Sequence, residues 1–185
     1  MALLLHIDTA GPLGSIAISS ENELLIEQQN SNQMDHATWI HFAVEEALQT
    51  IGITLSTLDA CSVTIGPGSY TGLRVGLSTA KGYCYALQKP LITIPTLQLM
   101  ASVIHADSSS WICPMIDARR MEVFYALYDD NLQELQPAQA LVLDAHSFET
   151  ELATRKIIFC GDGADKFKTC CSSSNASFSS TKATA

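Results

Sequence analysis

"GPGSYTGLRVGLSTAKG" (Gly66–Gly82) places glycines, a proline and several hydroxyl side chains at the start of a helical pattern. Two chemistries fit such a stretch: a cradle for phosphate, or a helix kept slim for close packing. Gly66-Pro67-Gly68-Ser69 suits a type II turn, and Ser69 or Thr71 suits the helix N-cap, leaving amides near the tip that could receive an anion. A phosphate-binding loop of the G-x-x-x-x-G-K-[ST] type needs a Lys-Ser/Thr pair that is absent here. The dinucleotide fingerprint G-x-G-x-x-G fails by one residue, since Gly66, Gly68 and Gly72 are spaced G-x-G-x-x-x-G. On a helical wheel Leu73, Gly76, Leu77, Ala80, Cys84 and Leu87 form the side expected to meet a sheet. Thr71, Val75, Ser78, Gly82 and Ala86 fall roughly opposite, and small residues there would let a second helix approach closely.

Outward from this stretch, the 185 residues suffice for one large domain or two small ones, with 47% hydrophobic and 16% charged residues. The start, "MALLLHIDTAG", lacks a basic region, so a signal peptide is not expected. No apolar run reaches membrane-spanning length. A net charge of −9 opposes unaided binding to nucleic acid. Cys61, Cys84, Cys113, Cys160, Cys170 and Cys171 show no C-x-x-C spacing and read as reduced residues of a cytoplasmic protein.

"LLLHID", "GSIAIS" and "ELLIEQQ" read as an antiparallel meander with turns at Gly11-Pro12 and Glu21-Asn22. A helix follows, with Ala37, Ile40, Val44, Ala47, Leu48 and Ile51 as its core stripe and Gly52 as its stop. Trp39 and Phe42 lie on the opposite side, where aromatics mark interfaces. "ACSVTIG" and "PLITIP" are strands flanking the glycine-led helix, and "TLQLMASVIHA" is a further helix. After "DSSS" (107–110) the pattern restarts with "WICPMIDA" and "EVFYALYDD", then a strand near "ALVLD", a helix near "SFETELAT" and the strand "KIIFCGDG". Strand–Asp–turn–strand thus occurs twice, hinting at a duplicated unit. The tail "CCSSSNASFSSTKATA" has no apolar period and reads as disordered.

"HIDTA", "GPGSYTGLRVGLSTAKG", "PMIDARRMEVFYALYD" and "FCGDGA" together resemble the bacterial TsaB (YeaZ) family, in the right order from about Leu3 to Phe167. The resemblance implies an α/β fold, the two-lobed actin/Hsp70/sugar-kinase (ASKHA) superfold with mixed sheets and helices. The expected division is 1–106 for a first lobe (βββαβαβα) bearing the dimerisation face, 107–171 for a second lobe expected to be incomplete, and 172–185 for the tail. It further implies a non-catalytic scaffold or activator that dimerises with the paralogue TsaD, recruits the ATPase TsaE, and serves threonylcarbamoyl transfer to a tRNA adenosine. Homodimers through the first lobe's helices are implied too, tRNA being reached only through the complex. Trp39, Phe42, Thr71, Val75, Ser78, Gly82 and Ala86 are then the candidate partner interface.

Kinases of this superfold hold phosphates between two matched hairpins. Asp8, Thr9, Gly66, Gly68, Ser69 and Thr71 mark a degenerate nucleotide or phosphate region here, whereas "DARRMEV" puts Arg119, Arg120 and Met121 where backbone should approach phosphate. No catalytic residue and no cofactor of its own is therefore expected, with ATP or ADP placed at an interface shared with partners. An ATP-dependent kinase of the same superfold, or an inactive glycoprotease-like relative, are the alternatives. No metal is expected either: His36 and His41 are about 140° apart on a helix and cannot aim at one ion. His36 reads as a solvent-facing or capping residue, and Asp117 with Arg119 as a structural pair.

Overall fold

A computed structural model of the chain describes residues 2–21, 23–32 and 35–185. Asn22, assigned to a turn from the sequence, lies outside them. The alternating and fully apolar runs form strands as their periods demand. β1 (Leu3–Asp8) pairs antiparallel with β2 (Gly14–Ser20), and β2 with β3 (Glu23–Asn30). α1 (His36–Thr50) then leads to β4 (Ala60–Thr64), parallel to β1. α2 (Tyr70–Leu87) crosses to β5 (Leu91–Ile94), parallel to β4. The sheet order is β3-β2-β1-β4-β5.

The second half repeats this plan. β6 (Ser110–Asp117) pairs antiparallel with β7 (Glu122–Tyr128), and β7 with β8 (Glu134–Val142). α4 (Glu149–Thr154) leads to β9 (Lys156–Cys160), parallel to β6, and α5 (Asp162–Cys170) to β10 (Ala176–Ser179), parallel to β9. The order β8-β7-β6-β9-β10 is the first sheet again, strand for strand. The helices shrink, however, from 15 and 18 residues to 6 and 9.

The chain divides into Met1–Thr96 with Thr184–Ala185, and Leu97–Ala183. The break thus falls ahead of the expected 106/107. α3 (Thr96–Ser102) explains the shift: its Leu97 and Ala101, with Ile104, bury against Ile112, Ala126, Tyr128 and Cys160 of the second sheet. The tail expected to be disordered supplies β10, and Phe178 stacks on Phe159 with centroids 5.5 Å apart. The second unit is therefore completed by residues assigned to no lobe from the sequence. Its other core joins Cys113, Met115, Val123 and Leu127 to Phe148, Phe159 and Phe167, whose rings meet edge-on at 4.8–5.3 Å.

In the first unit α1 and α2 bury Ile40, Val44, Ala47, Leu48, Ala80 and Cys84 against Leu5, Ile7, Ile16, Ile18 and Val63. Ala37, expected in that stripe, is exposed, and His36 is buried instead. Trp39 also departs from expectation, being half-buried and packed against this core. Among the described residues no helix is long and apolar enough to cross a membrane.

Candidate functional site

The first hairpin tip is held by its own chain. Asp8 ends β1 only 8% exposed, and its Oδ1 accepts the Ala10 amide at 2.9 Å and the Thr64 hydroxyl at 2.7 Å. The Thr9 hydroxyl donates to the Gly72 carbonyl at 2.7 Å, and the Ser69 amide donates to the Ala10 carbonyl at 2.7 Å. Ser69 is the α2 N-cap, accepting from the Gly72 amide at 3.2 Å, as such a residue should. The Gly66 amide donates to Thr96 Oγ1 at 3.1 Å. The turn differs from the expected type II: the Gly66–Pro67 peptide is cis, and both Gly66 (φ 112°) and Gly68 (φ 157°) have positive φ.

The glycines have a specific job. A Cβ on Gly68 would fall 2.5 Å from the Ala10 carbonyl oxygen, and one on Gly72 or Gly76 would overlap Thr9. The helix is slim on its inner side, so that it can lie directly on the hairpin. Of the glycines within α2, only Gly82, on the outer side, would meet nothing. Gly66, Ser69 and Gly72 amides, which a phosphate cradle would use, donate to oxygens of the same chain instead.

The second hairpin is built differently. Asp117, at the matching position on β6, pairs with Lys166 of α5, which with the Arg119 amide holds its carboxyl below the usual carboxylate range. Of the expected partner, Arg119, the amide makes the direct contact, and its guanidinium charge adds a weaker stabilisation from further off. The Asp117 amide donates to Asp162 Oδ1 at 2.9 Å. Arg119, Arg120 and Met121 have φ of 72°, 45° and 62°, three successive left-handed residues without a glycine. Each costs about 1 kcal/mol relative to a residue free of a Cβ clash.

The outer backs of α1 and α2 present Phe42 at 67% and Tyr85 at 90% exposure. Thr71, Ser78, Gly82 and Ala86 are exposed around them, while Val75 is half-buried in the core. His41 and Tyr83 lock the two helices together, Nδ1 to the phenol oxygen at 3.0 Å with rings edge-on at 5.9 Å. Tyr85 escaped the sequence reading, although it lies seven residues from Ser78 and so shares its face. The exposed Arg74 stacks 4.0 Å over the exposed Tyr70 ring.

His36 is 2% exposed, its two ring nitrogens have no hydrogen-bond partner among the described residues, and it lies where a Cβ on Gly14 would fall 2.7 Å from its ring. The solvent-facing or capping role is thus wrong: α1 begins with this ring wedged against β2. His6 sits between Ser62 and Ser19 oxygens at 2.7 Å each, and burial lowers its pKa. Burial pushes the Cys61 and Cys160 thiols up to about 12, so neither is a nucleophile at neutral pH. Among the described residues no three His, Cys, Asp or Glu side chains are grouped to hold a metal ion.

The family model for TsaD, tRNA N6-adenosine threonylcarbamoyltransferase, matches residues 24–185. The chain is 30% identical to the tRNA threonylcarbamoyladenosine biosynthesis protein TsaB of Bacillus subtilis, over 85% of this chain and 70% of that protein. It is 32% identical to an uncharacterized protein of Mycobacterium tuberculosis, over 75% of this chain but 64% of that one, so it spans about two thirds of the length of these relatives. A crystal structure of a Pseudomonas aeruginosa protein described as similar to peptidase YEAZ superposes with a TM-score of 0.84 at 22% identity. It covers 100% of this chain and 86% of that one, a likeness of fold. With two repeated mixed α/β sheets, that fold and these sequence matches, the chain belongs to the TsaB (YeaZ) family, within the broader TsaD-type family of tRNA N6-adenosine threonylcarbamoyltransferases.

Proposed function

We propose that this chain is a non-catalytic scaffold and activator subunit in tRNA threonylcarbamoyladenosine biosynthesis. It docks on a TsaD-type transferase through the backs of α1 and α2, and the pair recruits the ATPase TsaE. The same backs serve a homodimer when the transferase is absent. One contrast carries this reading: the first hairpin tip turns its donors and acceptors inward, while Phe42 and Tyr85 stand in water beside the open flank of Gly82. Large exposed aromatics next to small residues are what a buried interface core requires. ATP or ADP enters this reading only at an interface completed by a partner, because Asp8 and the Gly66 and Ser69 amides are engaged within the chain.

The test is reconstitution. TsaD and TsaE are assayed for modified tRNA with and without this chain, and the chain's Mg-ATP turnover is measured alone. Dependence of modification on the chain, with no turnover by the chain itself, supports the proposal. Full modification in its absence, or turnover by the isolated chain, sinks it.

A further inference from the structure

The second hairpin tip bears adjacent cations in a costly backbone conformation. Arg119 and Arg120 are exposed, and among the described residues neither guanidinium forms a close ion pair, the Arg119 charge acting on Asp117 from further off. Of the other cations, four are engaged: Arg74 stacks on Tyr70, Lys89 lies 4.0 Å from Asp59, Lys166 pairs with Asp117, and Lys168 lies over Phe178. Asp117, the acid best placed to neutralise the tip, is held by Lys166 and by the Arg119 amide. Glu122, the next acid along the chain, is half-buried and pairs with neither arginine.

The tip is also rigid. The Ala118 amide donates to the Glu122 carbonyl at 2.9 Å, the Glu122 amide to the Arg119 carbonyl at 2.8 Å, and the Leu143 amide to the Met121 carbonyl at 2.7 Å. Glycine would adopt the positive φ of 119–121 freely. Instead the chain places two long, permanently charged side chains there, and such outliers point to function rather than to packing.

We infer that the Arg119–Arg120 tip is a direct contact point for the phosphodiester backbone of the tRNA substrate. Guanidinium forks match phosphate oxygens, and two forks on a fixed hairpin can engage neighbouring phosphates of one strand. The overall charge of −9 keeps the rest of the surface from gripping RNA, so the contact is local and positions the strand rather than supplying most of the affinity. This rests on the proposed role in tRNA modification and replaces the expectation that tRNA is met only through partners.

The probe is the double variant Arg119→Gly/Arg120→Gly, which removes both charges while easing the backbone. Unmodified tRNA is titrated against the chain alone at low salt and against its complex with the TsaD-type partner over a salt series. The variant should weaken binding about 5- to 30-fold and reduce the slope of log affinity against log salt by about 1–2. Co-purification with the partner should hold, and the melting temperature should not fall. Unchanged affinity and slope overturn the inference and leave the proposed function standing. Loss of co-purification overturns it in favour of an acidic protein surface. If the wild-type chain joins no such complex, the proposed function fails separately, and the titration of the chain alone still decides the tip.

Discussion

The two hairpins occupy the same place in the same five-strand plan, yet they are secured by opposite means. β1–β2 is clamped by close backbone packing: Thr9 and Ala10 lie against Gly68, Gly72 and Gly76, with no charge but Asp8, which is buried and answered by an amide and a hydroxyl. β6–β7 is secured by exposed ions, Asp117 with Lys166, and carries left-handed residues that a glycine would hold more cheaply. In the second unit the glycines serve the strand rather than the tip. Gly161 and Gly163 let α5 approach Met115, two residues before Asp117. A repeated topology thus does not preserve a site. One tip has become a structural joint and the other a charged projection.

The sharpest way to break the contrast is to widen the glycine joint. Gly72→Val places carbon into the Thr9 backbone, which no rotamer relieves. It should destabilise the chain by about 3 kcal/mol or more in urea unfolding. A loss within 0.5 kcal/mol would mean that α2 does not rest on the hairpin.

Next come the outer backs. Phe42→Ala and Tyr85→Ala should each weaken assembly with the partner by about 2 kcal/mol, near 30-fold by titration calorimetry, with little change in thermal stability. Assembly untouched in both would remove the docking face. At the second tip, Met121→Gly should stabilise by about 1 kcal/mol and raise Tm by a few degrees, since it frees a residue at φ 62° of its Cβ clash. A fall in Tm would show that the Met121 side chain, and not the backbone, matters there.

The smallest effect concerns acid. The Asp117 carboxyl is lowered by Lys166 first and the Arg119 amide second. Near pH 4 the unfolded chain therefore binds more protons than the folded one. The pair's contribution is present above about pH 4 and is lost as pH falls through the lowered value. Both groups are partly exposed, so it amounts to no more than about 1 kcal/mol. Lys166→Met should flatten this acid limb in urea midpoints measured from pH 6 to 3. An unchanged limb would assign the acid sensitivity elsewhere.

Much of the fold was legible in local pattern. Period-two and fully apolar runs place the strands through β9 except most of the exposed β8, which starts at Glu134, ahead of the expected "ALVLD"; Ser69 announces the start of α2, and the twofold strand–Asp–turn–strand layout anticipates the repeated sheet. The site was less legible. Tyr85 follows from helical spacing, but the burial of His36 against Gly14 does not, because a polar residue at a helix start gives no apolar signal.

From residues alone came the order and type of the elements through β9, the failed phosphate motifs and the family, since these depend on spacing along one chain. Tertiary structure alone decided that Gly72 of α2 rests on the first hairpin, that α3 belongs with the second sheet, and that a serine-rich tail forms β10. Glycine has no side chain to report its neighbour, and an edge strand takes its conformation from the strand it joins. Both are set by what lies across the fold, which periodicity along the chain cannot express.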